Sequence, residues 1–442
     1  MKNKVGLIVE HYSFRSDIRD LIDILSEKVD LILYINKCDE IDIKERGYKY
    51  RIINENKFLK NILLKRIFSV FRKKHSLHKD AISWKLRKIN SKIGAKQLIQ
   101  ILYFRLYEYF PSILSYDWLL KRLLLNNDIV SDLDALICLT DIRYDELLAK
   151  CAHYNVRLYV YVYSWDHPVK LTKIPKDNTI YFTWNNGLKD DLVELHSIDP
   201  EKIKVIGSTQ FSYIEEYKRK VHSKNLSNDS GYIYCIGTKA RIEMFAQEVE
   251  LIKYISRFIV DNKLNIKIIF RPYPNIQNKA KSLYEDLKSI QNIEFDMYDN
   301  DKYIFTKDKI FDKFDKINEA IVTIHTGGTF GVEACYLNSV NLFFTYKESQ
   351  FNAQKKAPYY LNLSSISNQY HLNKYLNFKN ANVINCEHEL DSALYDILIE
   401  KNNNKFHAYN NIVSKLTKLD SMDNIAIKIS KTIFEDCKDC KE

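Results

Sequence analysis

Glycine and proline are scarce in this chain, ten and seven among 442 residues. That scarcity excludes collagen-like and low-complexity architectures, and no repeat at solenoid spacing is present. No apolar run approaches the ~20 residues that cross a bilayer as a helix. The eight cysteines follow no framework of spacings, which argues against a disulfide-stapled secreted domain and for a reducing cytosol. Cys437 and Cys440 have metal-like spacing but no second pair, and read as an exposed tail. The chain enters a strand at Val5–Val9, so no signal peptide is expected.

What is present is a large apolar fraction, 46% of residues, enough for a sizeable core. The length suggests two or three domains. The net charge of +10 is unevenly placed. Residues 56–125 carry sixteen Lys and Arg against Asp80, Glu108 and Asp117, a net of +13 that leaves −3 for everything else.

Apolar strand-like runs alternate with helical periods, the pattern of parallel α/β domains. In the first half the strands fall at Val5–Val9, Leu31–Ile35, Ala135–Leu139, Arg157–Tyr163, Thr179–Thr183 and Ile203–Ile206. A polar stretch at 218–230 reads as a linker. The alternation then restarts with Tyr232–Ile236, a long helix over Ala240–Asp261, Ile266–Phe270, Ala320–Ile324 and Val340–Thr345. The expected domains are 1–217, with 56–125 as a basic helical insertion, 231–405, and a helical tail at 406–442. The tail is expected to pack back on the first domain.

The most informative stretch is His325-Thr326-Gly327-Gly328-Thr329, between an apolar run and a short helix that carries Glu333. Two glycines let the backbone turn sharply and approach a ligand. The helix start offers free N–H groups and a positive dipole end, which suit a phosphate. Gly237-Thr238-Lys239 and Arg271-Pro-Tyr-Pro end two other strands of the same half. In a doubly wound sheet all three turns line the carboxyl edge, where ligands bind. Together they bring cations and backbone donors to one place, as a diphosphate requires. Replacing Arg271 with Ala is expected to cut turnover and leave the fold intact.

In the first half, His11 and Tyr12 follow the first strand, Asp141 a later one, Ser164-Trp165-Asp166-His167-Pro168 the next, and Trp184-Asn185 the one after. His11, Asp141 and Asp166 are candidate general bases for an acceptor hydroxyl, and each taken singly fits a structural cap or turn better. Tyr12, Trp165, His167 and Trp184 are candidates for contacting the acceptor.

In order along residues 130–350, Ser164-Trp165-Asp166, Trp184-Asn185, Val205-Ile206-Gly207, Arg271-Pro272-Tyr273-Pro274 and Thr326-Gly327-Gly328-Thr329 with Glu333-Ala334 resemble bacterial GT-B glycosyltransferases of cell-surface polysaccharide synthesis. That group is related in layout to CDP-glycerol glycerophosphotransferases and non-hydrolysing UDP-GlcNAc 2-epimerases. The resemblance implies two Rossmann-like domains facing across a cleft, and a nucleotide-sugar donor held by the second. Arg271 and Thr326–Thr329 would meet phosphate and Glu333 the ribose or sugar. It also implies a glycan or lipid-linked glycan acceptor on the first domain and no metal or cofactor. No Asp-x-Asp motif sits at a suitable strand end. Three positions depart from the group's pattern: Tyr273 stands where His is common, His167-Pro168-Val169-Lys170 replaces a more usual continuation, and Ser212 follows Phe211 where Asp is common.

The reading is therefore a cytoplasmic glycosyltransferase, with a polyol-phosphate transferase, a nucleotide-sugar 2-epimerase and a non-enzymatic nucleotide-binding protein as rivals. Residues 56–125 are expected to meet an anionic membrane at its inner face. Nucleic acid is not an expected partner, because no recognised binding motif accompanies the basic charge.

Overall fold

The computed structural model describes residues 2–9, 16–54, 58–78, 82, 86, 95–125, 130–139, 144–170, 172–221, 231–237, 241–273, 276–297, 306–337, 340–352, 361–372, 382–406 and 419–439. The chain divides into two compact units, one formed by 1–212 with 418–442 and the other by 213–417.

The first unit is built on seven parallel strands: β1 (Lys4–Val9), β2 (Asp30–Ile35), β3 (Tyr50–Ile52), β4 (Ala135–Cys138), β5 (Arg157–Tyr161), β6 (Thr179–Thr183) and β7 (Ile203–Val205). Their order is β3-β2-β1-β4-β5-β6-β7. Runs such as Val5–Val9 are buried throughout because helices cover both faces of a parallel sheet. The helix Ser16–Lys28 shows how the pattern works. Ile18, Leu21, Ile22 and Leu25 recur at helical spacing and all are buried. Against this helix packs Met422–Asp439, which buries Ile425, Ile429 and Ile433. The same C-terminal helix is fixed by Tyr159, whose hydroxyl donates to Asp436 at 2.8 Å, and a Cβ on Gly207 would lie 3.1 Å from Asp420 Cβ and 3.3 Å from Ile425 Cγ1. Cys437 is buried on this helix rather than exposed, because it continues the apolar stripe. Cys440 lies outside the described residues.

The second unit has six parallel strands: β8 (Tyr232–Ile236), β9 (Lys267–Arg271), β10 (Ile293–Phe295), β11 (Val322–His325), β12 (Asn341–Phe344) and β13 (Val383–Ile384). Their order is β10-β9-β8-β11-β12-β13. The helix Ile242–Asp261 buries Phe245, Val249, Ile252, Ile255 and Ile259 along one stripe.

Three strands were not legible as apolar runs: β3, β10 and β13. Each lies at a sheet edge and is two or three residues long. So short a strand exists only because a neighbour supplies the ladder.

The basic insertion lies between β3 and β4 and contains the helices Leu59–Phe71, Ala95–Leu106 and Tyr116–Leu120. Asn61 and Phe68 anchor the first of them. The Asn61 amide donates to Leu124 O and to Glu146 Oε1, both at 3.0 Å. Much of the apolar surface of these helices faces outward: Leu59 is 82% exposed and Ile99 67%, with Leu63, Leu98, Leu102 and Leu106 also exposed. No helix among the described residues is long and apolar enough to cross a membrane.

Candidate functional site

In each sheet the strand order reverses once, between β1 and β4 in the first and between β8 and β11 in the second. The crevice outside the carboxyl ends at such a point is where open α/β sheets take ligands.

In the second unit the register puts the predicted turns on one edge. Ile236 pairs with both Arg271 and His325, and His325 with Phe343. The turns after β8 and β9 touch. Gly237 N–H donates to Arg271 O at 2.9 Å, and a Cβ on Gly237 would lie 2.9 Å from Tyr273 N and 2.8 Å from Glu248 Oε2. Only glycine permits that approach. Thr238 and Lys239 lie outside the described residues.

After β11 the chain turns through Gly327 and Gly328, at φ +105° and +112°. These values favour glycine and deliver the start of the helix Thr329–Tyr336 to the edge. Gly328 caps that helix without any side-chain hydrogen bond. Thr326 and Gly327 are buried, whereas Gly328 and Thr329 are half-buried. The leading amides of the helix are therefore directed at the edge, the arrangement that receives an anion.

His325 is not part of that reception surface. It is 3% exposed, and its Nδ1 accepts the Gly327 N–H at 3.0 Å. Burial lowers its pKa to about 4, against a weaker opposing effect of Asn341. The ring is neutral and braces the turn from beneath. A Cβ on Gly331 would come within 2.3 Å of its Cε1, so the helix can sit this close only with glycine there. Burial and the bond from Gly327 N–H make His325 a strut of the turn.

Arg271 is likewise a buried residue and not an open clamp. Its Nη1 donates to Asp296 Oδ2 at 2.5 Å. Asp296 also accepts from the Tyr234 hydroxyl and, at 2.8 Å, from Lys316 Nζ. Burial opposes the charge on Asp296, yet Arg271, Lys316 and Tyr234 outweigh it and hold its pKa below the ordinary carboxylate value. Removing Arg271 would strip the strongest partner from a buried carboxylate, so Arg271→Ala is expected to cost stability as well as turnover. Glu333 is buried and accepts from Lys313 Nζ at 2.6 Å. Lys313 and Lys316 lie on one face of the helix Lys307–Glu319.

Asp296, Lys313, Lys316 and the buried Glu248 escaped the sequence reading. Asp296 follows an edge strand too short to notice. Glu248 had a signal, a carboxylate inside the apolar stripe Phe245–Val249–Ile252.

In the first unit, β1 and β4 are neighbours, with Ile8 opposite Cys138. The candidates that follow them, His11, Tyr12 and Asp141, lie outside the described residues. Asp166 is engaged within its own turn. Ser164 Oγ donates to its Oδ1 at 2.7 Å, and Lys170, one helical turn on, forms an ion pair with its Oδ2. His167 is half-buried and opens the short helix His167–Lys170. Trp165 is buried. Trp184 is 2% exposed and sits edge-on to Phe211 with ring centroids 5.1 Å apart. It packs in the core of the first unit.

Among the described residues, no three His, Cys, Asp or Glu side chains gather as a metal site.

No protein-family model matches the chain. No curated protein matches it in sequence. Solved structures do share its fold. An S. aureus protein, MnaA, solved with UDP, aligns with a TM-score of 0.53 at 12% identity, covering 99% of this chain and 98% of that one. UDP-N-acetylglucosamine 2-epimerase from Rickettsia bellii aligns with a TM-score of 0.51 at 13% identity, again over 99% and 98%. The two-sheet α/β architecture, with its helical insertion and C-terminal helix, is the GT-B fold.

Proposed function

We propose that the protein is a nucleotide-sugar enzyme, and specifically a glycosyltransferase that moves a sugar from a nucleoside-diphosphate donor to a glycan hydroxyl. The observation that carries this reading is the Gly327–Gly328 turn, which aims an uncapped helix start at the switch point of the second sheet. Backbone amides would hold the donor diphosphate and stabilise the leaving nucleotide. Arg271 and Glu333 act through the ion pairs that anchor the surrounding edge. The S. aureus structure described with UDP supports a uridine nucleotide as the first ligand to test. A base from the first unit, drawn from His11, Asp141 and Asp166, would take the acceptor proton.

Thr329→Asp tests the site cleanly. A carboxylate in the first turn favours the helix dipole, so the melting temperature should hold or rise slightly. The same charge repels a bound diphosphate and should weaken UDP binding by about 100-fold, measured by calorimetry. Undiminished UDP affinity in this variant would remove the phosphate assignment.

The 2-epimerase reading is favoured by the Rickettsia bellii match. Incubation with UDP-GlcNAc alone, followed by NMR of the sugar, separates the readings. Epimerisation without acceptor replaces the transferase reading, and turnover only with CDP-polyols favours polyol-phosphate transfer.

The acceptor is placed by the same reading at a cytoplasmic membrane face. The support is the combination, in residues 56–125, of a net +13 with exposed Leu59, Leu63, Leu98, Ile99 and Leu102.

A further inference from the structure

A second concentration of positive charge lies within the first unit, at the base of the insertion. A cavity of about 230 Å³ is lined there by Arg72, Lys73, Lys74, His75, Lys176 and His196, together with uncharged residues and a third histidine. No Asp or Glu is among its described lining residues. The segments bearing Lys176 and His196 lead into the amino ends of β6 and β7. The strand ends invoked for the acceptor lie at the opposite, carboxyl end of the sheet.

The described head-group bonds run to neutral acceptors. Lys74 Nζ donates to the carbonyls of Tyr107 and Phe110, both at 2.5 Å. Lys176 Nζ donates to the carbonyls of His196 and Ser197. Arg72 Nε donates to the Tyr107 hydroxyl. Carbonyls and a phenol orient these side chains but cancel no charge. Asp117 accepts the backbone N–H groups of Lys176 and Asp177 at 3.0 and 3.2 Å. Burial first, and Lys73 second, lower the pKa of Lys176 against the pull of Asp117. The two histidines add shape rather than charge. His75 accepts Leu77 N–H at Nδ1, so Nε2 carries the proton that bonds Val169 O at 3.0 Å. His196 meets the His75 ring edge-on, with centroids 5.3 Å apart.

Like charges gathered around a cavity and oriented by neutral acceptors suit a compact anion. The volume falls below the ~300–1,000 Å³ of drug-sized sites, which suits a compact group.

We propose that this cavity binds a phosphoryl group through Arg72, Lys73, Lys74 and Lys176. The phosphoryl group comes either from a soluble phosphate ester or from a phospholipid headgroup presented beside the exposed apolar helices of the insertion. The site does not depend on the nucleotide reading of the second unit.

The test uses the full chain with inorganic pyrophosphate and sn-glycerol 3-phosphate in calorimetry, and with phosphatidylglycerol and phosphatidylcholine vesicles in sedimentation. Lys176→Gln and the exposed Lys73→Gln are compared with the native chain, each checked by its melting temperature and by UDP affinity. Saturable binding of a soluble probe, weakened about tenfold by each substitution, supports a free phosphate ester as ligand. Capture on phosphatidylglycerol but not phosphatidylcholine, weakened by Lys176→Gln, supports the headgroup. No binding of any probe, or binding indifferent to Lys176→Gln, overturns the proposal. UDP affinity that stays constant across these variants keeps this outcome separate from that of the nucleotide site.

Discussion

Two regions of this molecule are rich in cations, and they use them in opposite ways. At the sheet edge of the second unit three cations meet acids: Arg271 and Lys316 share Asp296, Lys316 also meets Asp312, and Lys313 meets Glu333. Those charges build the edge, and anion reception is left to the amides after Gly328. In the cavity of the first unit, Lys74 and Lys176 donate to carbonyls, and no described lining residue is acidic. A count of Lys and Arg does not separate these cases, because the difference lies in what each head group touches.

Substitutions can break or sharpen this contrast. The largest effect is expected from Asp296→Ala, which leaves Arg271 and Lys316 without their shared anion in a buried place. Urea unfolding should show a loss of about 3–5 kcal/mol. A loss under about 1 kcal/mol would mean that the ion pairs do not hold the edge.

Next in size is an acid-side loss of stability centred on the histidines. His325 has its pKa pushed from 6.5 to about 4 by burial. The unfolded chain therefore binds a proton near pH 6.5 that the native state refuses until about pH 4. Stability should fall as pH drops through that window, by about 3 kcal/mol for this one group, and level off below it. His325→Gln should flatten that part of the profile. His196, also lowered to about 4 chiefly by burial, should contribute its own share in the first unit, so both regions respond in one window. Asp296, whose folded pKa is depressed, contributes stability that is lost only further down, as pH falls through its native value. A profile unchanged by His325→Gln would contradict the strut role.

Gly331→Ala is expected to cost about 1–3 kcal/mol, because the new methyl meets the His325 ring and one of them must move. Thermal unfolding measures it. The smallest effect belongs to Lys73→Gln, within about 0.5 kcal/mol, since its side chain is exposed. A large loss there would make the cavity lysines structural, like those of the second unit, and erase the contrast.

Some of this was legible beforehand for a plain reason. Central strands of a parallel sheet are apolar on both faces, so Val5–Val9, Tyr232–Ile236 and Thr179–Thr183 announce themselves as runs. The helix Ile242–Asp261 announces itself by its stripe. The place of the glycine turn after β11 was readable too, because two adjacent glycines between an apolar run and a helix have few other uses. The edge strands β3, β10 and β13 were not readable, since two or three residues carry no period and pair only where a neighbour offers a ladder.

The amino-acid sequence by itself determined the alternation of strands and helices, and with it the α/β class, the glycine turns and the lopsided charge. Those properties are written in local spacing and composition. Only the tertiary structure decided that His325 braces a turn, that Arg271 belongs to Asp296, that Trp184 is core, and that Lys176 faces a cavity beside Lys73. Each of those depends on burial and on a partner distant in sequence. Burial and partnership set the charge a side chain carries and the direction in which it can use it.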